Sequence, residues 1–371
     1  MWLRQRKPPS PPVIDEAYRI TPETADPSAV LKAAKEAGAN ALITAGTYAK
    51  GFTVDGITLY VEGEVNVQNG ITLKNGVVAG YSGDRTADVL TITETAETTV
   101  NGGTLQNLTV NITGAAHNYL IHWQSGDFLV DNAILSASGN TKGCGLYAGG
   151  GTVGSKFRAV NSDVSFCNNV QEDGGSGIWA NSDGNANAVF EFEGGSLKLN
   201  NNGLNGFLGQ PGSWLGNSAT TTFRFTNTDV EAMGNGSPTD GGNGDGFSYG
   251  YITLNSTDGK LHTFNVSNND KNGLDGGINN ADTLYLPENA VVYNNHADKA
   301  GDDIYSKELK EGKSIRFYAV GSDWVLDDCG HLIDGWYVDS DRDPMRTVIP
   351  SGGLPTVPPS SPRFTRASAS M

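Results

Sequence analysis

The phrase Leu197-Lys198-Leu199-Asn200-Asn201-Asn202-Gly203-Leu204-Asn205-Gly206-Phe207 recurs in approximate form along a chain of 371 residues. A short apolar run leads, Asn-rich residues follow, and a Gly then precedes an apolar residue. Further copies run Val164–Trp179, Val230–Phe247, Val266–Ile278 and Val291–Tyr305, with a weaker one at Ile134–Tyr147. Aligned on the apolar residue after each Gly step, the copies fall at Tyr147, Trp179, Phe207, Phe247, Ile278 and Tyr305. That spacing is roughly 30 residues, which is the period of a stacked repeat.

Upstream of the copies the texture is the same. Ala41–Thr44, Phe52–Val54, Ile57–Val61, Val65–Val67 and Ile71–Leu73 are short β-branched runs broken by Gly or Asn. A sandwich or hairpin barrel wants longer strands joined by tight turns. Very short strands with persistent self-similarity point instead to a β-solenoid, in which inward Val, Leu and Phe of successive coils share one core. In such a coil the Asn and Gly residues are corner devices. Gly permits a left-handed backbone, Asn tolerates one, and stacked amides can hydrogen-bond along the axis.

Composition agrees. Hydrophobic residues make up only 37% and Gly numbers 49, as expected for many turns and a thin core. The formal charge of −16 excludes a basic face for phosphate, so nucleic acid is not an expected partner. No apolar run reaches the length of about 18 residues that a membrane span needs. Cys144, Cys167 and Cys329 show no metal spacing and read as small buried side chains. Met1–Lys7 is basic, but Pro8–Pro12 stands where a signal peptide would be apolar. The chain therefore reads as part of a longer multidomain protein.

Residues 1–25 read as a disordered lead. Asp26-Pro27 is a helix start, Ala29–Ala37 holds strong helix formers, and Gly38 is a stop. Residues 26–320 form the repeat region. Residues 321–349 carry no repeat and 350–371, rich in Pro, Ser and Arg, read as a disordered tail.

The opening, with helix Ala29–Ala37, strand Ala41–Thr44 and the step Gly46-Thr47-Tyr48, resembles right-handed parallel β-helix proteins of the pectate-lyase-like superfamily. The Asn-Asn…Gly phrase is similar to repeats of bacterial surface adhesins. His331–Tyr337 is similar to segments that follow β-helical regions in surface proteins of gut Gram-positive bacteria. The resemblance covers Asp26 to Ala319. It implies a right-handed parallel β-helix with a short N-terminal capping helix, placed outside the cell or on its surface. A glycan or a host or cell-surface protein would be the partner. It does not single out a chemistry, because this fold hosts lyases, hydrolases and adhesins.

For an enzyme of this fold the candidates are Arg224, Asp229, His262, Asp302 and Asp303. Asn227-Thr228-Asp229 and Gly301-Asp302-Asp303 match fragments of polygalacturonase-like hydrolases. Asn227 and Asp302 lie about three coils apart, however, beyond the 5 to 10 Å that paired glycosidase carboxylates need. An enzyme should gather Asp or Glu with Arg, Lys or His in one groove. A stalk should show Asn, Thr and Ser there. Asp240 and Asp245 lie in a Gly- and Asp-rich stretch of calcium-loop composition, but Tyr251 stands where an EF-hand needs Glu. No cofactor is expected beyond a structural calcium ion. Trp123, Trp214, Tyr249 and Tyr251 fall at expected loops or strand edges and are candidates for ligand contact, whereas Trp179 and Phe207 read as core.

Overall fold

The computed structural model describes residues 11–94, 96–114, 118–149, 154–170, 177–180, 188–209, 221–236, 244–260 and 262–271. Beyond these it describes 277–280, 284–285, 290–293, 295–297, 304–306, 315–316, 336–339, 347–349 and 363–366. The protein is mostly β, and its strands pair in parallel.

Three parallel ladders run through the described residues, and each has an inward column. In the first, Ala41, Leu59, Val78, Leu105, Val130, Ala159, Phe192 and Phe225 are successive register partners. In the second, the column is Val65, Leu90, Val110, Leu135, Val164, Leu197, Val230 and Phe264. In the third it is Ile121, Leu146, Ile178, Phe207, Phe247, Ile278 and Ile304. Partners lie 25 residues apart at Gln106–Asp131 and 33 apart at Asn169–Asn202. The columns meet in one contiguous core. Its aromatic part is stacked along the axis, with Phe190 on Phe223 at 5.0 Å and Phe192 on Phe225 at 5.2 Å.

Antiparallel pairing among the described residues is confined to the C-terminal end. There Arg363–Arg366 pairs with Ile304–Tyr305 and with Trp336–Asp339. This strand lies within the stretch read as a tail. It covers the backbone groups that the last parallel strand would otherwise leave open.

The N-terminal end is closed by the helix Pro27–Ala37. The Asp26 carboxylate accepts the Ser28 and Ala29 N–H groups, Pro27 opens the first turn, and Gly38 ends the helix at φ 64°. Leu31 and Ala34 bury the inner face. Order begins earlier than the sequence suggests. Glu16–Tyr18 forms a 3-10 turn and Arg19–Ile20 pairs with Leu42–Ile43. Fully buried Ile20 extends the core by one layer, which is what holds this polar stretch down.

The Asn-rich phrase resolves into two columns with different tasks. The first Asn of each pair takes the left-handed corner: Asn168 at φ 57°, Asn201 at 56° and Asn268 at 56°, with Gly234 standing in at 64°. The second Asn is buried and forms an amide ladder. The Asn169 side-chain amide donates to Asn202 Oδ1 at 3.3 Å, Asn202 to Asn235 at 3.0 Å, Asn235 to Asn269 at 2.8 Å and Asn269 to Asn295 at 2.7 Å. The Gly of the phrase lies against this ladder. A Cβ at Gly206 would come within 2.6 Å of the Gly246 carbonyl oxygen and 3.1 Å of Asn235 Nδ2, so a side chain has no room. A second corner column, Asn107, Asn132, Asn161, Gly194 and Asn227, repeats the left-handed turn on another edge.

The register corrects the sequence alignment by one residue at three copies. The column residues are Leu146, Ile178 and Ile304, where the alignment set Tyr147, Trp179 and Tyr305. A one-residue offset moves a side chain to the other face, so Trp179 stands outside the core while Phe207 is within it.

Candidate functional site

The second ladder presents an outer face whose residues alternate with the buried column. Asp163, Ser196 and Asp229 are successive partners on that face, and so are Ser165, Lys198 and Glu231. With His262 and Thr263, all of these but Ser165 line a groove of about 400 Å³. Neighbouring layers are about 4.8 Å apart, so Asp163 and Asp229 stand about 10 Å from each other with Ser196 between.

Each carboxylate of the groove is engaged by the protein. Arg85 Nη2 lies 2.7 Å from Asp163, and the Ser196 hydroxyl donates to the same carboxylate at 2.8 Å. Arg85 belongs to the loop 81–87, which is tied down at its end by Asp88. That buried carboxylate accepts from the Gly63 N–H, the Ser82 N–H and the Ser82 hydroxyl. Glu231 holds Lys198 Nζ at 3.3 Å and the Asn200 amide at 3.2 Å. Asp229 accepts the Thr263 N–H at 2.7 Å and stands 3.8 Å from His262 Nδ1. The other ring nitrogen of His262 is 3.1 Å from Asp258. The Lys260 N–H and His262 hold the Asp258 carboxyl below its ordinary range.

Of the sequence-predicted residues, Asp229 and His262 come together here, and Arg224 does not join them. Arg224 lies on the outer face of the first ladder, between Glu191 and Thr253 in register. Its Nη1 is 2.7 Å from Glu191, which also holds Lys156 at 3.0 Å and Arg158 at 3.4 Å. Burial works to raise the Glu191 carboxyl, but hydrogen bonds from Lys156 and Arg224 outweigh it and hold it below the ordinary range. A depressed folded value stabilises the protein at neutral pH, and this is lost as pH falls through that value. Glu191→Gln is therefore expected to lower the unfolding free energy at pH 7 by about 1 kcal/mol. The deficit should shrink as pH falls below the ordinary carboxylate value of about 4.3 and close below the depressed folded value, where the parent carboxyl is itself protonated. Urea titrations at both pH values check this, and an equal deficit at both would refute it.

Trp123 is corrected from surface to core. It is fully buried, its indole N–H donates to the Gly126 carbonyl at 2.7 Å, and its ring meets Phe157 and Phe190. The short Gly126 turn bends the strand Tyr119–Asp131 and gives the indole its partner inside. Asp245 is likewise buried and not on an open loop, and its N–H donates to Asn205 Oδ1 at 3.0 Å. Trp214, Asp240, Asp302, Asp303 and Cys329 lie outside the described residues. Tyr249 and Tyr251 fall in the strand Phe247–Asn255, but their side chains are outside the described set. Cys144 and Cys167 are free thiols, and burial pushes both above the ordinary thiol value. Among the described residues no three of His, Cys, Asp and Glu gather as metal ligands, and no helix is long and apolar enough to cross a membrane.

Sequence reading missed Asp163, Ser196, Lys198 and Arg85. A signal was present. Asn161-Ser162-Asp163-Val164 and Asn227-Thr228-Asp229-Val230 are two copies of one corner, one layer apart from Gly194-Gly195-Ser196-Leu197. The Asn-Thr-Asp match to hydrolases is therefore a repeat of the corner. In it Asn turns the chain and the hydroxyl of the next residue returns to the backbone, as Thr228 does to Thr226 and Ser162 to Val160.

In comparisons with known proteins the chain matches no family model, no curated protein and no solved structure.

Proposed function

We propose that the chain is a right-handed parallel β-helix serving as a rigid, non-catalytic binding module of a bacterial surface protein. It would hold a glycan along the charged groove. The handedness is supported by the strong right-handed preference of connections between parallel strands. The surface location rests on the resemblance of the repeats to adhesins.

One observation carries the preference for binding over catalysis. The groove holds the mixture of acids, Lys and His expected of an enzyme, but its acids are already committed. A catalytic carboxyl must be free to meet the reacting bond at hydrogen-bond distance. Here Asp163 faces Arg85, Glu231 faces Lys198, and Asp229 accepts a backbone N–H. Oriented, paired polar groups of this kind suit the hydroxyls of a sugar chain.

The second reading, a polysaccharide hydrolase or lyase, is favoured by the gathering of acids with Lys198 and His262 in one groove, although the carboxyl pair Asp163 and Asp229 is widely spaced. Their separation of about 10 Å is just beyond the upper end of the range for inverting glycosidases. Calorimetry against a polysaccharide panel, with assays for reducing and unsaturated ends, separates the two. The binding reading expects saturable uptake without product, and about tenfold weaker uptake for Asp229→Asn with Glu231→Gln. Release of sugar ends from any member of the panel would sink it in favour of the enzyme.

A further inference from the structure

The outer face of the third ladder differs from the polar faces around it. His122, Tyr147 and Trp179 are successive register partners there, and Tyr119 lies at the start of the same strand as His122. The Tyr119 and Tyr147 rings stack face to face, 4.1 Å apart and 9° from parallel. Trp179 breaks the stack. It meets Tyr147 at 5.1 Å and 63°, so the column of parallel rings ends at the indole. His122 packs at 5.2 to 5.3 Å against both tyrosines and pairs with Glu97 at 3.0 Å. None of the four belongs to the contiguous core, although Tyr147 is only 8% exposed.

Cross-strand stacking accounts for the two tyrosines as ladder fasteners. It does not account for Trp179. The Trp179 indole N–H is shielded from water and has no acceptor among the described residues. Buried donors are nearly always satisfied, and one left over inside an aromatic cluster calls for an explanation. A sugar supplies both missing elements. Its C–H face packs on an aromatic ring, and its hydroxyl oxygens accept from an indole N–H. The His122–Glu97 pair adds polar groups at the same cluster, in the mixture of apolar body and polar tip that suits a neutral pyranose.

We infer that the cluster of Tyr119, His122, Tyr147 and Trp179 is a second carbohydrate subsite, separate from the charged groove and selective for neutral sugar rings. This rests on the reading of the chain as a glycan-binding module. The two sites lie on different ladders, so each can be removed without the other.

Calorimetry with cello-, chito- and lacto-oligosaccharides on the full chain tests it. A probe that fills both sites is expected to bind at about two per chain. Trp179→Ala should reduce this to about one, and Trp179→Phe, which keeps a ring but lacks the donor, should weaken that step about tenfold. Asp229→Asn with Glu231→Gln should remove the other equivalent and leave the Trp179 step intact. Thermal melts of Trp179→Phe identical to the parent would exclude unfolding as the cause. If both Trp179 variants bind like the parent while the groove variant does not, the inference is overturned and the groove reading stands. If the parent binds none of the probes, both are overturned.

Discussion

Asn202→Ala is expected to destabilise the protein by about 3 kcal/mol, measured as a shift in the urea midpoint. The side chain is 1% exposed and takes part in four hydrogen bonds. Its oxygen accepts from the Asn169 N–H and from the Asn169 amide, at 3.1 and 3.3 Å. Its amide donates to the Phe166 carbonyl at 3.1 Å and to Asn235 Oδ1 at 3.0 Å. Alanine leaves the donors of Asn169 and the Phe166 carbonyl buried with one partner fewer, and that exposes their desolvation cost. Asn202→Asp is the sharper comparison. It keeps the shape and the acceptor, loses the two donors and buries a charge. It should be the worse of the two at pH 7 and recover partly in acid, when the carboxyl protonates. A loss below about 1 kcal/mol for alanine would mean that the ladder is replaceable by water or backbone shifts.

Phe190→Ala is expected to cost about 4 kcal/mol. Phe190 is fully buried and its ring lies within 6.4 Å of Trp123, Phe157, Phe207 and Phe223, which belong to several layers and two ladders. Removing it leaves a void bounded by rings that stacking holds in place, so the walls cannot collapse cheaply. Phe190→Leu should cost less than half as much, because most of the volume returns. Equal losses for Ala and Leu would point to ring stacking, and not cavity volume, as the main term.

The two substitutions also mark what was readable in the chain. The capping helix was legible from Asp26, Pro27 and Gly38, because capping is local chemistry. The amide and corner roles of Asn were legible from repetition alone. The face of an aromatic residue was not. Leu146-Tyr147 and Ile178-Trp179 each offer two apolar residues in a row, and only the register says which one points inward. The groove was half legible. Asp229 was picked out by its own Asn-Thr-Asp fragment and His262 as a single imidazole, but what joins them to each other and to Asp163, Ser196 and Arg85 is stacking, at separations that no local motif spans. Trp123 went astray for a similar reason, since its acceptor at Gly126 lets an indole lie inside where a loop or strand edge was expected.

The amide ladder has a direction. From Asn169 to Asn269, each Asn gives its backbone N–H and one amide proton to the Oδ1 of the copy after it, and its own Oδ1, from Asn202 on, receives the same pair from the copy before it. Among the described residues these Asn–Asn bonds all run between copies. A tandem duplication of one whole copy would arrive with a giver and a receiver, and the bonds would match on both sides of the insertion. A change inside one copy disturbs its two neighbours as well. The molecule is thus built to grow longer by copying and to resist editing of any single member, and length becomes the property that such a chain can vary most freely.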